Sequence, residues 1–223
     1  MKRKNERIFA GFVTAAMLMA SNAFAQQDGR SEGATVPPPR SEAGPFLEPM
    51  IFAERNNTEI KTSQLPVISD NTSGRTQGPG LGLRFGGHVN ETFFLAADGR
   101  YSQTDFSDSS YQSAKSTGYN YGVTAGAQTP YYGVRLWGTA VLGGAMDPAA
   151  GAQGFDVKFD QAKGYRVGAG VHVASVALNL EYQDLTFDKS TIQSVGILNV
   201  DQQTDVDFTE KGLVLSVGFP IEL

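Results

Sequence analysis

Two histidines, His88 and His172, are the only side chains in this sequence that exchange a proton near neutral pH without help from their surroundings. His172-Val173-Ala174-Ser175 sets a serine three residues beyond a base, and a serine hydrolase needs a base against its nucleophile. Ser175 falls in a tight turn rather than on a preorganised surface, so we expect no enzyme and no catalytic residue. Cysteine is absent, which excludes disulfides, thiolate metal sites and a lipidated amino terminus. The acids between 184 and 212 (Asp188, Asp201, Asp205, Asp207, Glu210) lack the spacing of a calcium loop, so neither metal nor cofactor is expected. A different chemistry belongs to six charges set within apolar segments: Arg84, Asp98, Arg100, Arg135, Arg166 and Glu181. Charges removed from water need partners. Four arginines against two acids leave the set short of acid, and Glu48 and Glu222 would balance it.

Each of these charges lies on the small-residue side of an alternating segment. A strand turns successive side chains to opposite faces. The closing segment shows the pattern most plainly: Leu213, Leu215, Val217, Phe219, Ile221 and Leu223 share one face, with Ser216, Gly218, Pro220 and Glu222 on the other. Residues 80–89, 92–101, 119–128, 132–142, 163–173 and 176–183 repeat it, and 45–54 is the least regular candidate. A charge on a lipid-facing surface at mid-depth costs about 2–4 kcal/mol, which assigns the charged face to the interior. The expected lumen network is therefore Glu48, Arg84, Asp98, Arg100, Arg135, Arg166, Glu181 and Glu222, with Trp137 sharing its parity. The six apolar residues of the closing strand should face lipid.

Connections between these segments alternate long and short. Residues 56–77, 102–118, 143–162 and 184–212 are long; 90–91, 129–131 and 174–175 are tight. Outer-membrane barrels have this rhythm of long extracellular loops and short periplasmic turns, with an even strand number. About ten residues per strand suits a tilted membrane strand. We therefore expect an all-β, eight-stranded antiparallel up-and-down transmembrane barrel over 45–223. Its interior is just wide enough to be filled by side chains, which favours a packed plug over a conducting pore. Phe93, Tyr101, Tyr119, Tyr121, Tyr132, Tyr165, Tyr182 and Phe219 gather toward strand ends, as interfacial girdles do. Pro49 and Pro220 meet at the closing seam, and proline donates nothing to a ladder, so irregular or missing hydrogen bonds are expected there. Ile192, Val195, Ile197, Leu198 and Val200 suit strands extended beyond the membrane or a contact edge.

The amino end completes the reading. Lys2, Arg3, Lys4 and Arg7 precede an apolar run, and Ala23-Phe24-Ala25 offers small residues for cleavage, the layout of a secretory signal over 1–25. Residues 26–44, with Pro37, Pro38 and Pro39 among glycines and mixed charges, read as a flexible linker. The net charge is −5, and loss of four Lys/Arg and one Glu with the signal makes it three units more negative. Phosphate binding in nucleic acids requires the opposite sign, so no nucleic-acid partner is expected.

With signal, alternation, loop rhythm and terminal strand together, the chain resembles the small eight-stranded outer-membrane barrels of the OmpA/OmpX type over residues 45–223. Leu223 stands where that family's closing strand normally ends in an aromatic residue, with Phe219 on the same face four residues earlier. The resemblance is to the barrel alone, without a peptidoglycan-binding domain. It implies a monomer in the outer membrane of a Gram-negative cell, with outer-membrane lipid and the barrel-assembly machinery as partners. The expected function is a structural or cell-surface interaction role carried by the extracellular loops, which would hold any external ligand. The alternatives are a narrow pore for small solutes, a lipid-modifying barrel enzyme and a soluble lipocalin-like carrier in the periplasm.

Overall fold

The computed structural model describes residues 43–61, 72–108, 114–129, 133–150, 155–173, 175–195, 198–204 and 207–223. The expected signal and nearly all of the expected linker lie outside the described residues.

Antiparallel hairpins build the molecule in chain order. The strands are β1 (Gly44–Lys61), β2 (Thr72–His88), β3 (Phe93–Asp108), β4 (Ala114–Gln128), β5 (Val134–Pro148), β6 (Phe155–Val173), β7 (Val176–Val195), β8 (Leu198–Thr204), β9 (Asp207–Gly218) and β10 (Ile221–Glu222). β1 to β7 pair successively, and β9 pairs with both β7 and β1, so the sheet closes on itself. β10 continues β9 along β1, and β8 is a short hairpin partner of the outer end of β7. The wall therefore has eight staves, and closure removes the sheet edges that hydrocarbon does not tolerate.

Polarity is inverted relative to a soluble barrel. Leu81, Leu83, Phe85, Leu95, Leu136, Val167 and Leu180 point outward and are exposed, whereas Arg84, Arg166, Glu48 and Glu181 are buried inside. A lipocalin-like carrier would hide the first set and expose the second. Exposed apolar surface on this scale marks a surface made for a membrane or a partner rather than for water.

The turns at one end are tight. Asn90 Oδ1 accepts from the backbone N–H of Thr92 and Phe93 at 2.9 and 2.8 Å, closing the β2–β3 hairpin with a side chain that suits such turns. Gly133 adopts a φ of +60°, and a Cβ there would meet the His172 carbonyl oxygen at 2.3 Å, which explains glycine at that position.

At the opposite end the strands outrun the sequence expectation. β7 continues to Val195 and β9 begins at Asp207, so most of 184–212 is strand rather than loop. The same holds for the long connections ahead of β2, β4 and β6. Backbone ladders need no particular side chains, and polar residues on both sides of the hairpins leave the pairing intact. Within this outer part the lumen holds an apolar cluster of Phe106, Phe159, Phe187, Phe208, Leu185, Val141, Met146 and Ala162. Phe208 is fully buried, stacked on Phe159 at 4.3 Å and 5.4 Å from Phe187.

The seam behaves differently on its two sides. The β1–β9 ladder runs to Met50–Gly218, breaks at Phe219 and Pro220, and resumes as β10 with Leu47–Ile221 in the same register. Phe219 N–H still donates to the Pro49 carbonyl at 2.9 Å. Toward β2, by contrast, the register passes through Pro49 without a shift. Pro220 interrupts a strand; Pro49 does not, because a missing donor on one side leaves the pairing geometry unchanged.

Candidate functional site

Parity along β1 to β7 delivers the lumen charges into contiguous layers. On β3, Phe94, Asp98, Arg100, Thr104 and Phe106 all point inward and climb from the tight-turn end to the apolar cluster. Four of the neighbouring glycines are where bulk fails. A Cβ at Gly82 would meet Met50, at Gly126 Phe94, at Gly168 Trp137, and at Gly218 the Glu48 carboxylate, each below 3.0 Å.

Nearest the tight-turn end, Glu48 bridges two arginines. It accepts from Arg84 Nη1 at 3.2 Å and from both terminal nitrogens of Arg135, one at 3.0 Å. Arg135 also donates to Asn179 Oδ1 at 3.0 Å, and Asn179 donates in turn to Ser216 at 3.2 Å. Trp137 lies against both guanidiniums, 5.2 Å from Arg84 and 5.3 Å from Arg135. Cation–π attraction of this kind grows when the cation is desolvated.

The next layer centres on Asp98. Arg84 Nη2, Arg100 Nε and Arg166 Nη2 reach it at 3.3, 3.1 and 2.6 Å. Arg100 Nη2 also meets both oxygens of Glu181 at 2.8 Å, and Arg166 Nη1 donates to Asn120 Oδ1 at 2.5 Å. Arg84 thus joins the two layers, and seven charges form one connected network. Four arginines face three acids, with Asn120 and Asn179 supplying neutral acceptors. Removal of both partners of such pairs is often neutral, whereas removal of one leaves a buried charge alone.

Glu222 is the exception. Its side chain is 44% exposed at the tight-turn rim, with Oε1 3.4 Å from His88 Nε2. The Pro220 break puts it beyond the network, so it does not supply the missing acid. His88, His172, Gln128, Phe46, Phe94 and Glu222 line a cavity of about 10 Å³ at this rim. Ser175 is exposed in the turn that follows. Along the closing strand, Leu213, Phe219, Ile221 and Leu223 are exposed and Leu215 is half-buried. Val217 shares their parity yet is only 3% exposed, between its register partners Ile51 and Leu178.

Sequence reasoning missed a second polar layer above the arginines. Glu54 and Glu210 are both buried there, and Asn56 Nδ2 donates to each, at 3.3 and 2.8 Å. Thr76 Oγ1 also donates to Glu210, and Gln183 Nε2 donates to Glu54 at 3.2 Å. Glu54 shares inward parity with Glu48, which was a usable signal; Glu210 sits in a stretch that carries no apolar rhythm. A cavity of about 20 Å³ lies against this pair, bordered by Ser102, Thr104, Asn120 and Met146, with room for a water and little more. Between the two cavities the lumen is occupied by the ion-paired layers.

A closed eight-stranded wall with exposed apolar residues outside and an ion-paired filling inside defines a transmembrane barrel of the small outer-membrane type. The solved structure of the outer membrane protein OprG from Pseudomonas aeruginosa matches it at a TM-score of 0.51 with 17% identity, covering 81% of this chain and 96% of that one. Looser matches are Neisserial surface protein A (TM-score 0.40, 17% identity, 80% and 100% covered) and Ail, the attachment invasion locus protein of Yersinia pestis (0.38, 14%, 78% and 98%). No family model matches the chain, and no curated protein matches its sequence. The fold is therefore that of outer-membrane barrels, established by architecture rather than by sequence kinship.

Proposed function

We propose that this chain is a monomeric outer-membrane barrel whose sealed lumen makes it a rigid support, and whose extended strands present an interaction surface outside the cell. The carrying observation is the filling: seven mutually paired charges block the membrane-spanning part, and a phenylalanine cluster fills the part above it. No catalytic role is assigned to His88, His172 or Ser175. In this reading the tight-turn end faces the periplasm, residues 1–25 direct export and 26–44 tether the barrel. The assembly machinery inserts it, and Leu213, Leu215, Phe219, Ile221 and Leu223 face lipid while Val217 packs within the seam. Strands that run on past the apolar belt lift their connections away from the membrane, where a ligand can reach them.

The discriminating measurement is planar-bilayer conductance of the refolded barrel. We expect insertion without discrete current steps. Reproducible ohmic steps from the folded, heat-modifiable species would overturn the sealed-lumen reading in favour of a small-solute pore.

A further inference from the structure

The outer face of β9, β1 and β2 changes character within two rows of residues. Leu215, Ala53 and Pro79 form one row across the three strands; Leu213, Arg55 and Gln77 form the next; Lys211, Asn57 and Arg75 form the one above. Leu213 is the last exposed apolar residue of β9 on this face, and Lys211, two residues on, is 53% exposed. The three cations therefore stand at the outer border of the apolar belt. Diagonal neighbours on a sheet lie roughly 7–8 Å apart, so Arg55 is within side-chain reach of both Arg75 and Lys211. Three long side chains at that spacing converge on a group the size of a phosphate.

Elsewhere along the same border Lys163 is matched by Asp188 at 2.6 Å. In this sector Lys211 has Asp184 at 3.0 Å, and Glu59 and Asp105 both lie diagonal to Arg75, with Asp105 paired to Lys115 at 2.5 Å on the far side. Arg55 and Arg75 carry no ion pair among the described residues. Two unmatched guanidiniums side by side repel each other unless an anion joins them, and the guanidinium fork matches phosphate oxygens two at a time.

We propose that Arg55, Arg75 and Lys211 bind the phosphate head group of an outer-leaflet lipid, whose acyl chains lie along Leu213, Leu215 and Leu81. A free phosphate gains only exposed ion pairs, which water and salt screen. A lipid adds burial of its chains on the belt that continues directly below the cations. This inference rests on the membrane reading above, and the test separates the two.

The wild-type barrel and two variants, R55Q/R75Q and K163Q, are refolded in detergent. Insertion and heat-modifiable migration are checked first, and failure of the wild type at that step overturns the membrane reading itself. Native mass spectrometry then measures retention of diphosphorylated lipid A and of its dephosphorylated form. We expect R55Q/R75Q to bind the diphosphorylated lipid on the order of ten- to thirty-fold more weakly, two interfacial cations each contributing several-fold. K163Q should bind like wild type, and the dephosphorylated lipid should not distinguish the three proteins. Equal retention by wild type and R55Q/R75Q would overturn the lipid site while leaving the barrel in the membrane. So would displacement of the lipid by inorganic phosphate at equal concentration, which would mark a soluble anion instead.

Discussion

Replacement of Glu210 by glutamine should remove most of the pH dependence of this barrel's stability near neutrality. Glu210 is buried inside β9, level with exposed Lys211 and above the last apolar outward residue, Leu213. Burial, and after it the charge of Glu54, push its carboxyl up to about 7 from an ordinary 4.5; the hydrogen bonds from Thr76 and Asn56 oppose the rise. Thr76 on β2 donates to it, Leu185 on β7 is its register partner, and Gln183 donates to Glu54; all three are neutral. The unfolded chain releases this proton near pH 4.5 and the folded barrel near pH 7, so between the two the folded state holds the more protons. The contribution of Glu210 to stability is then full below about pH 4.5, falls as pH rises to about 7, and levels off above. A shift of this size corresponds to about 3 kcal/mol. An amide at 210 accepts the same two hydrogen bonds and carries no charge, so E210Q should lose that slope and exceed wild type at pH 8 by a similar amount. E54Q, which removes the repelling partner, should flatten the slope too. Urea titrations in bicelles, followed by the fluorescence of Trp137, the sole tryptophan, measure both. An E210Q slope equal to that of wild type between about pH 4.5 and 7 would refute the paired-carboxyl account.

Two further outcomes follow from the layers on either side. Glu48→Gln takes away the carboxylate that pairs Arg135 and leaves Arg84 ion-paired with Asp98 alone, so it should cost about 3–5 kcal/mol in urea titrations; an unchanged stability would mean that Glu48 does not hold the lower network together. Phe208→Ala empties the centre of the outer cluster and should cost about 3–5 kcal/mol while leaving bilayer insertion intact. Loss of insertion in that variant would place the cluster within the membrane-spanning part instead.

The tight-turn halves of the strands were readable because lipid and lumen impose opposite demands on adjacent residues. Tyr165, Val167 and Ala169 against Arg166, Gly168 and Gly170 leave only one face for the charge. The outer halves were not readable, because the greasy face changes sides while the parity does not. β7 shows the crossing: Leu180 and Tyr182 point out, Glu181 and Gln183 point in, and beyond them Asp184 and Thr186 point out while Leu185 and Phe187 point in. β3 and β9 cross in the same way, at Tyr101 to Phe106 and at Leu213 to Phe208. A search for one continuous apolar stripe stops at such a crossing and scores the remainder as loop. Glu222 was assigned by parity alone, and parity says nothing of depth; Pro220 had already carried the chain to the rim. Asn120 and Asn179 share the arginines' parity, but neutral amides give no reason to expect one acceptor rather than another.

That crossing has a mechanical consequence. Outside it stand Arg55, Arg75, Lys163 and Lys211; a rung below Lys211 stands Leu213, a rung below Arg55 stands Leu215, and a rung below Lys163 stands Tyr165. If the barrel sank by one rung, the cations would enter hydrocarbon, each costing up to about 1 kcal/mol near the interface and more with depth. If it rose by one rung, leucine side chains and a tyrosine ring would stand in water and lose their burial. The molecule therefore rides at a fixed height, its waterline written into the wall itself, and whatever the connections above present to the outside is held at a constant distance from the cell surface.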